Sequence, residues 1–260
     1  MDGLDDVARE VLRRRYLRRD EDGNVVETPD GMFRRVASSL AAAEGRFGGD
    51  VEGTERRFHE AMAGLDFLPN SPTLMNAGTE LGQLAACFVL PIEDSLRSIF
   101  GTLEHTALIH QSGGGTGFSF STLRPRGDVV AKTGGVASGP VSFMRIFDAA
   151  TEQIKQGGRR RGANMGVLSV HHPDVEAFVT AKADPDAFRN FNLSVATTDA
   201  FWDAYQAGEP YDLVNPRTDE VVGTGDPARL LDLVAEMAWG TGDPGLLFLD
   251  RIDEDNPTPD

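Results

Sequence analysis

A single cysteine, Cys87, stands in the run Ala85-Ala86-Cys87-Phe88-Val89-Leu90. A thiol there can serve redox chemistry, and a lone cysteine on a strand can equally be a small buried hydrophobe. Composition leaves both readings open. One cysteine excludes an intrachain disulfide scaffold and any multi-cysteine metal site made by this chain alone. Upstream, Phe67-Leu68-Pro69-Asn70-Ser71-Pro72-Thr73-Leu74-Met75-Asn76-Ala77-Gly78-Thr79 sets hydroxyls and free backbone N–H groups around Pro and Gly. Such a segment suits phosphate oxygens, or it is an ordinary turn. Ser112-Gly113-Gly114-Gly115-Thr116-Gly117 leads into a strand, Phe118-Ser119-Phe120, and its glycines let a ligand approach the backbone. No Lys-Ser/Thr follows and no helix comes next, so neither a phosphate loop nor a dinucleotide fingerprint is met. Lys155-Gln156-Gly157-Gly158-Arg159-Arg160-Arg161-Gly162-Ala163-Asn164 concentrates four cations. It reads as a polyphosphate clamp, because arginine forks match phosphate geometry, or as a solvated basic loop. In His171-His172-Pro173-Asp174, adjacent histidines on a strand point to opposite faces and no third ligand is near, so no metal is expected.

The elements that must position these residues follow from hydrophobic spacing. Leu4, Val7, Val11, Leu12, Tyr16 and Leu17 recur at helical intervals over 4–19. Gly23-Asn24 breaks that pattern. A second helix begins at Thr28-Pro29-Asp30, with Thr28 as N-cap, and holds Met32, Phe33, Val36, Leu40 and Ala43; a third covers about 54–64. Residues 1–65 therefore read as a helical domain. From residue 66 to 260, apolar strands (86–91, 117–122, 164–170, 190–196, 211–214, 245–249) alternate with helical patterns (95–110, 140–155, 173–182, 198–207, 227–239). That alternation predicts an α/β architecture with a largely parallel sheet. The polar segment 253–260 shows no closing helix or strand, so the sheet is expected to be incomplete.

The chain has 260 residues with 25 basic and 41 acidic side chains, a formal charge of −16. This balance argues against nonspecific nucleic-acid binding, which needs a positive footprint. Lys132, Lys155 and Lys182 are the only lysines. An acidic, lysine-poor surface fits a salt-loving source, and a GC-rich genome produces the same exchange of Lys for Arg. No run approaches the roughly 20 apolar residues that span a bilayer. The opening MDGLDDVARE is acidic, unlike a secretory leader or transit peptide, so a soluble cytoplasmic protein without membrane contact is expected.

Read together, FLPNSPTLMNAGT, ACFVLPIEDSL, QSGGGTGFSFSTLRP and KQGGRRRGANMG, followed by HHPDVEAF and RNFNLSVATTDAF, resemble the large catalytic subunit of ribonucleotide reductase in order and spacing, over roughly residues 8–259. The opening VLRRRYLRRDEDGNVVETPDGMFRRVA is most similar to the adenosylcobalamin-dependent class II enzymes. The N-terminal segment is too short for the ATP-cone domain common in class I, which some class I enzymes also lack. The resemblance implies a helical domain followed by the first part of a ten-stranded α/β barrel. It places Ser71 on the substrate's phosphates and the backbone of Ala86, Cys87 and Gly115 along the ribonucleotide. Cys87 matches the first cysteine of the redox pair. Asp94, Ser95 and Leu96 match the start of the effector-site helix, where Asp94 would hold the sugar of a dNTP or ATP effector, and Arg124 matches a phosphate-binding arginine. Residues 155–164, with Lys155, Gln156, Arg159, Arg160 and Arg161, match a first specificity loop. Residues 182–190, with Lys182 and Arg189, match a second.

In the family, Asn-Pro-Thr-Pro is followed by an Asn-Pro-Cys-Gly-Glu motif carrying the thiyl-radical cysteine, and the second redox cysteine comes later. Here Asn256-Pro257-Thr258-Pro259 is followed only by Asp260. The chain thus reads as an N-terminal portion, from a split, truncated or intein-interrupted gene, and is expected to be inactive alone. The resemblance further implies a homodimer and a thioredoxin-type reductant. Two alternatives stand beside it: a catalytically incompetent nucleotide-binding fragment, and a class I large subunit with a metal-containing radical partner.

Overall fold

The computed structural model describes residues 3–130, 134–154 and 162–258. They form two compact units. The first runs to Cys87 and includes Ser112–Gly114. It contains α1 (Asp6–Arg15), α2 (Pro29–Ala41), α3 (Val51–Ala63) and α4 (Ser71–Asn76), with a 3₁₀ turn at Ala42–Arg46. Side-chain caps start the first three helices. Asp5 accepts from Ala8 N–H at 2.7 Å, Thr28 from Gly31 N–H at 3.1 Å and Asp50 from Gly53 N–H at 2.9 Å. Met32, Phe33, Val36 and Ala37 line one face of α2 and pack with Leu17, Met62, Leu74 and Ala77. Each large side chain in that cluster contributes about 1.5–3 kcal/mol by leaving water.

α1 meets the helical core along one edge. Val7 is 72% exposed and no residue within the helix is fully buried, but Leu12 and the capping Tyr16 pack half-buried against the core cluster. Its cap, the Glu10 pairs with Arg13 and Arg14, and arginines in its last turn add support. The expected boundary at residue 65 also differs from the observed unit. Leu74 and Ala77 belong to the helical core, so the first unit extends past α4.

The second unit holds the sheet. Its elements are β1 (Cys87–Val89), entering at Phe88, then α5 (Leu96–Gln111), β2 (Gly115–Ser119), β3 (Val129–Val130), β4 (Gly135–Val136), α6 (Pro140–Gln153), β5 (Asn164–Ser169), α7 (Val175–Val179), β6 (Phe191–Thr197), α8 (Asp199–Ala207), β7 (Tyr211–Asn215), β8 (Glu220–Gly225), α9 (Pro227–Thr241), β9 (Gly245–Phe248) and α10 (Leu249–Glu254). Five strands are ordered β1-β2-β5-β6-β9. The pairs β2–β5, β5–β6 and β6–β9 are parallel, with Gly166 opposite Leu193 and Ala196 opposite Leu247. Parallel neighbours need crossover connections, which α6, α7, α8 and α9 provide. Residues Leu193–Thr197 of β6 are buried on both faces, so the polar Ser194 and Thr197 lie in the interior along with the apolar Leu193 and Val195. Phe118 sits at the centre, with ring centroids 4.9 Å from Phe147 and 6.4 Å from Phe191.

Strand 211–214 does not join that sheet. As β7 it pairs antiparallel with β8, which the sequence reading did not anticipate. Only residues 216–219 separate the two strands, too few for a crossover but enough for a hairpin turn. α10 also reaches into the segment read as lacking a helix, ending at Glu254.

Candidate functional site

In the first unit, α4 organises the approach to the thiol. The segment read as a turn is a six-residue helix, because Asn70 accepts the Thr73 N–H at 2.9 Å and Pro72 is tolerated in a first turn. The Ser71 hydroxyl lies 2.9 Å from the Tyr16 hydroxyl. Thr73 Oγ1 donates to the Leu84 carbonyl at 3.1 Å, and Asn76 Nδ2 donates to the Gln83 carbonyl at 2.9 Å. These bonds hold the strand entry just before Ala86, which is half-buried, and Cys87, which is exposed and unpaired by any disulfide. The buried-hydrophobe reading of Cys87 is therefore corrected. Along β1 the side chains alternate, with Cys87 and Val89 exposed and Phe88 half-buried, so strand periodicity itself turns the thiol outward.

Gly115, half-buried, opens β2 in the second unit. Next to it a buried polar chain runs His110 Nε2 to Thr116 Oγ1 (3.0 Å), Thr116 Oγ1 to Asn164 Oδ1 (2.8 Å) and Asn164 Nδ2 to Thr151 Oγ1 (2.9 Å). Ser95, exposed, accepts the Ser98 N–H at 3.1 Å at the start of α5, and Leu96 is 64% exposed. Asp94 and Arg124, thirty residues apart, are brought together. Arg124 Nε donates to Asp94 Oδ2 at 2.7 Å, and Arg124 Nη1 donates to the Val129 carbonyl at 2.9 Å. The Nη2 edge of this half-buried guanidinium has no partner among the described residues, which leaves donors for an anion.

The two specificity loops fare differently. Lys155, Gln156, Arg159, Arg160 and Arg161 lie outside the described residues. Lys182 is a brace: its ammonium donates to Asp243 Oδ2 at 2.6 Å and to the Phe191 carbonyl at 2.7 Å, while Asp243 Oδ1 accepts the Leu193 N–H at 2.7 Å. Arg189 is exposed and pairs with Asp186.

His171 and His172 lie in the turn after β5 and not on a strand, and there they reach different partners. His171 Nδ1–H donates to the Asp212 carbonyl at 2.9 Å and its Nε2 meets Thr198 Oγ1 at 2.9 Å, whereas His172 Nε2–H donates to the Leu123 carbonyl at 2.8 Å. Among the described residues no group of three His, Cys, Asp or Glu side chains could hold a metal ion. Of two concavities of about 460 and 480 Å³, one sets Arg126, Arg145, Asp174 and Asp184 among small apolar and hydroxyl side chains, and the other is lined by ionisable groups, among them Arg34, Glu52 and His59. Neither presents the broad apolar wall that adenosylcobalamin's corrin macrocycle requires. Sequence reasoning missed Tyr16 as the partner of Ser71, and it read the His-His-Pro-Asp turn for metal alone.

A helical unit followed by parallel strands wound through crossover helices, with an exposed cysteine at the first strand, defines the opening part of an α/β barrel protein. The profile of the ribonucleotide reductase all-alpha domain matches residues 2–82, and that of the ribonucleotide reductase barrel domain matches residues 85–260. The vitamin B12-dependent ribonucleoside-diphosphate reductase of Thermoplasma acidophilum is 47% identical over 95% of this chain and 40% of its own length. That of Mycobacterium tuberculosis is 53% identical over 96% of this chain and 36% of its own length. The ribonucleoside-diphosphate reductase large subunit of Trypanosoma brucei brucei is 32% identical over 80% and 25%, respectively. The chain belongs to the ribonucleotide reductase large-subunit family, and it spans 40% or less of the length of these relatives.

Proposed function

We propose that this chain forms the substrate- and effector-binding start of a ribonucleotide reductase that converts ribonucleotides to deoxyribonucleotides by thiyl-radical chemistry. The observation that carries the reading is the exposed Cys87 on the first strand of the family's barrel domain. Replacing the 2′-hydroxyl by hydrogen consumes two electrons. Two thiols supply them: both S–H bonds break, one S–S bond forms, the 2′-carbon gains hydrogen and the hydroxyl leaves as water. Cys87 is one of those thiols, and the other belongs to protein outside this chain. Ser71, with its hydroxyl oriented by Tyr16, takes a substrate phosphate oxygen, and the backbone at Ala86 and Gly115 lines the ribonucleotide. Asp94 accepts from the sugar of a dNTP or ATP effector, and Arg124 donates to its phosphates.

Two of the relatives are named for vitamin B12 dependence, which supports adenosylcobalamin as the radical source, held by residues outside this chain. A homodimer, with a thioredoxin-type protein reducing the disulfide, completes the proposal. A class I enzyme with a metal-containing partner is the alternative supported by the similarity to the Trypanosoma brucei brucei large subunit. A second reading, a nucleotide-binding fragment that needs its complementary half, is favoured by the single thiol.

The experiment joins or mixes the chain with the remaining segment of a relative. The chain alone should give no turnover with nucleotide, cobalamin and dithiol supplied, and the completed enzyme should turn over. Cys87→Ser in the completed enzyme should stop multiple turnover. Sustained deoxyribonucleotide production by Cys87→Ser would sink the redox assignment.

A further inference from the structure

We propose that His172 and Asp174 are positioning residues for Arg124, a two-point clamp that fixes the arginine-bearing turn between β2 and β3 for binding a nucleotide's phosphates. This rests on the reading of Asp94 and Arg124 as the effector site. The turn Leu123–Asp128 lies outside the sheet ladder, so its backbone polar groups need other partners. Two of them are taken by side chains almost fifty residues away. His172 Nε2–H donates to the Leu123 carbonyl at 2.8 Å, and the Arg126 N–H donates to Asp174 Oδ2 at 2.8 Å.

The two clamp residues are themselves joined, since the Asp174 N–H donates to His172 Nδ1 at 3.0 Å. A carbonyl only accepts, so the proton sits on Nε2 and Nδ1 is left to accept, and both ring nitrogens are satisfied by one tautomer. His172 is 2% exposed and Leu123 1%, which makes these bonds hard to exchange for water. Gly139 closes over the clamp with φ +78°. A Cβ there would meet Asp174 Oδ2 at 2.6 Å and Arg126 N at 3.0 Å, so the carboxylate occupies space that any other residue would fill. At the far end of the turn, Asp128 takes Arg217 Nε at 2.8 Å and Nη2 at 2.9 Å.

Arg124 is thus presented from a turn held on both sides. Its Nε and Nη1 are committed to Asp94 and the Val129 carbonyl, and Nη2 remains for an incoming oxygen. Charge-assisted arginine–phosphate bonds depend on alignment, so a backbone freed at Leu123 or Arg126 misplaces the donor edge without removing it.

The test is calorimetric titration of the 260-residue chain with dTTP, with the melting temperature recorded for every variant. Asp174→Ala, which frees the Arg126 N–H, should weaken binding tenfold or more. Asp174→Asn, which keeps an acceptor oxygen of the same reach, should stay within about threefold of the parent chain. Where Asp174→Ala does not fold, His172→Gln takes its place; it keeps a donor for Leu123 but lacks the ring acceptor for Asp174 N–H, and it should weaken dTTP threefold or more. Parent-like affinity in Asp174→Ala, or in His172→Gln where that variant stands in, overturns the clamp. So do equal losses in Asp174→Ala and Asp174→Asn, which would mark general destabilisation. A parent chain that binds no dTTP overturns the effector-site reading itself, and the clamp falls with it.

Discussion

Two imidazoles, His110 and His172, are buried where a charge would be costly. Burial pushes the His172 ring below the usual histidine range, outweighing the Leu123 carbonyl and Asp174, which pull the other way. Burial depresses His110 as well, opposed by the Ala163 backbone. Thr116 spends its one hydroxyl proton on Asn164, so His110 Nε2 carries the hydrogen it shares with Thr116, while its buried Nδ1 makes no hydrogen bond among the described residues. In the unfolded chain both rings titrate near pH 6.5. As the pH falls through that value the unfolded state takes up protons that the folded state refuses, so stability present above about 6.5 is lost below it. Each ring contributes at most about 1.4 kcal/mol per pH unit. Urea unfolding of the parent chain and of His110→Gln between pH 7.5 and 5 checks this. The parent's stability should fall the more steeply, by about one proton, and parallel curves would mean that His110 is charged in the fold. At this scale the sequence was informative about identity and silent about environment. The Cys87 thiol was singled out by being alone, but its exposure came from the alternation of a three-residue strand. The His-His-Pro-Asp turn was noticed, and its role rests on contacts with residues 123 and 126 that no spacing rule encodes.

Among the elements, the short helix α4 carries Ser71 and cannot stand alone. A six-residue helix has no intrinsic stability in water. It persists because Leu74 enters the helical core and because Arg35 of α2 reaches its C-terminal carbonyls. Arg35 Nη1 donates to the Ala77 carbonyl at 2.6 Å and Nη2 to that of Leu74 at 3.2 Å. The same guanidinium is paired with Glu27 at 2.8 and 3.0 Å, both side chains being about nine-tenths buried. Arg35→Ala should therefore cost about 3–5 kcal/mol, since it strands a buried carboxylate. Adding Glu27→Leu to Arg35→Ala should recover a good part of that loss, and chemical denaturation of the three proteins is the check. A single-variant cost under about 1 kcal/mol would show that α4 does not depend on this anchor. The long periodic helices α2, α3, α5, α6 and α9 were legible because each buries a stripe at helical spacing. α4 and β8 were not, because a cap, a distant arginine and a hairpin partner specify them. Val221 and Val222 of β8 are both more than half exposed and give no alternation to read.

For the whole molecule, the −16 charge is the property most open to test. Several of its ion pairs are on the surface, such as Arg13 and Arg14 with Glu10, Arg229 with Glu176 and Arg251 with Glu254. Pairs of this kind contribute about 0–1 kcal/mol each and weaken as salt is added. The surplus of acidic groups acts in the opposite direction, because self-repulsion destabilises the compact state most when screening is weakest. Raising KCl from about 0.1 M to 1 M shortens the Debye length from about 10 to 3 Å. If the acidic surplus outweighs the local pairs, the melting temperature should climb across that range. Replacing the exposed Glu21, Asp22, Asp253 and Asp255 by their amides should raise the melting temperature at low salt and flatten its rise with KCl. Salt strengthens apolar burial in both proteins alike, so the difference between the two slopes isolates repulsion. A parent curve that is flat or falling, or equal slopes for the two proteins, would assign the arginine-rich, lysine-poor composition to the coding genome and not to a salt-adapted surface.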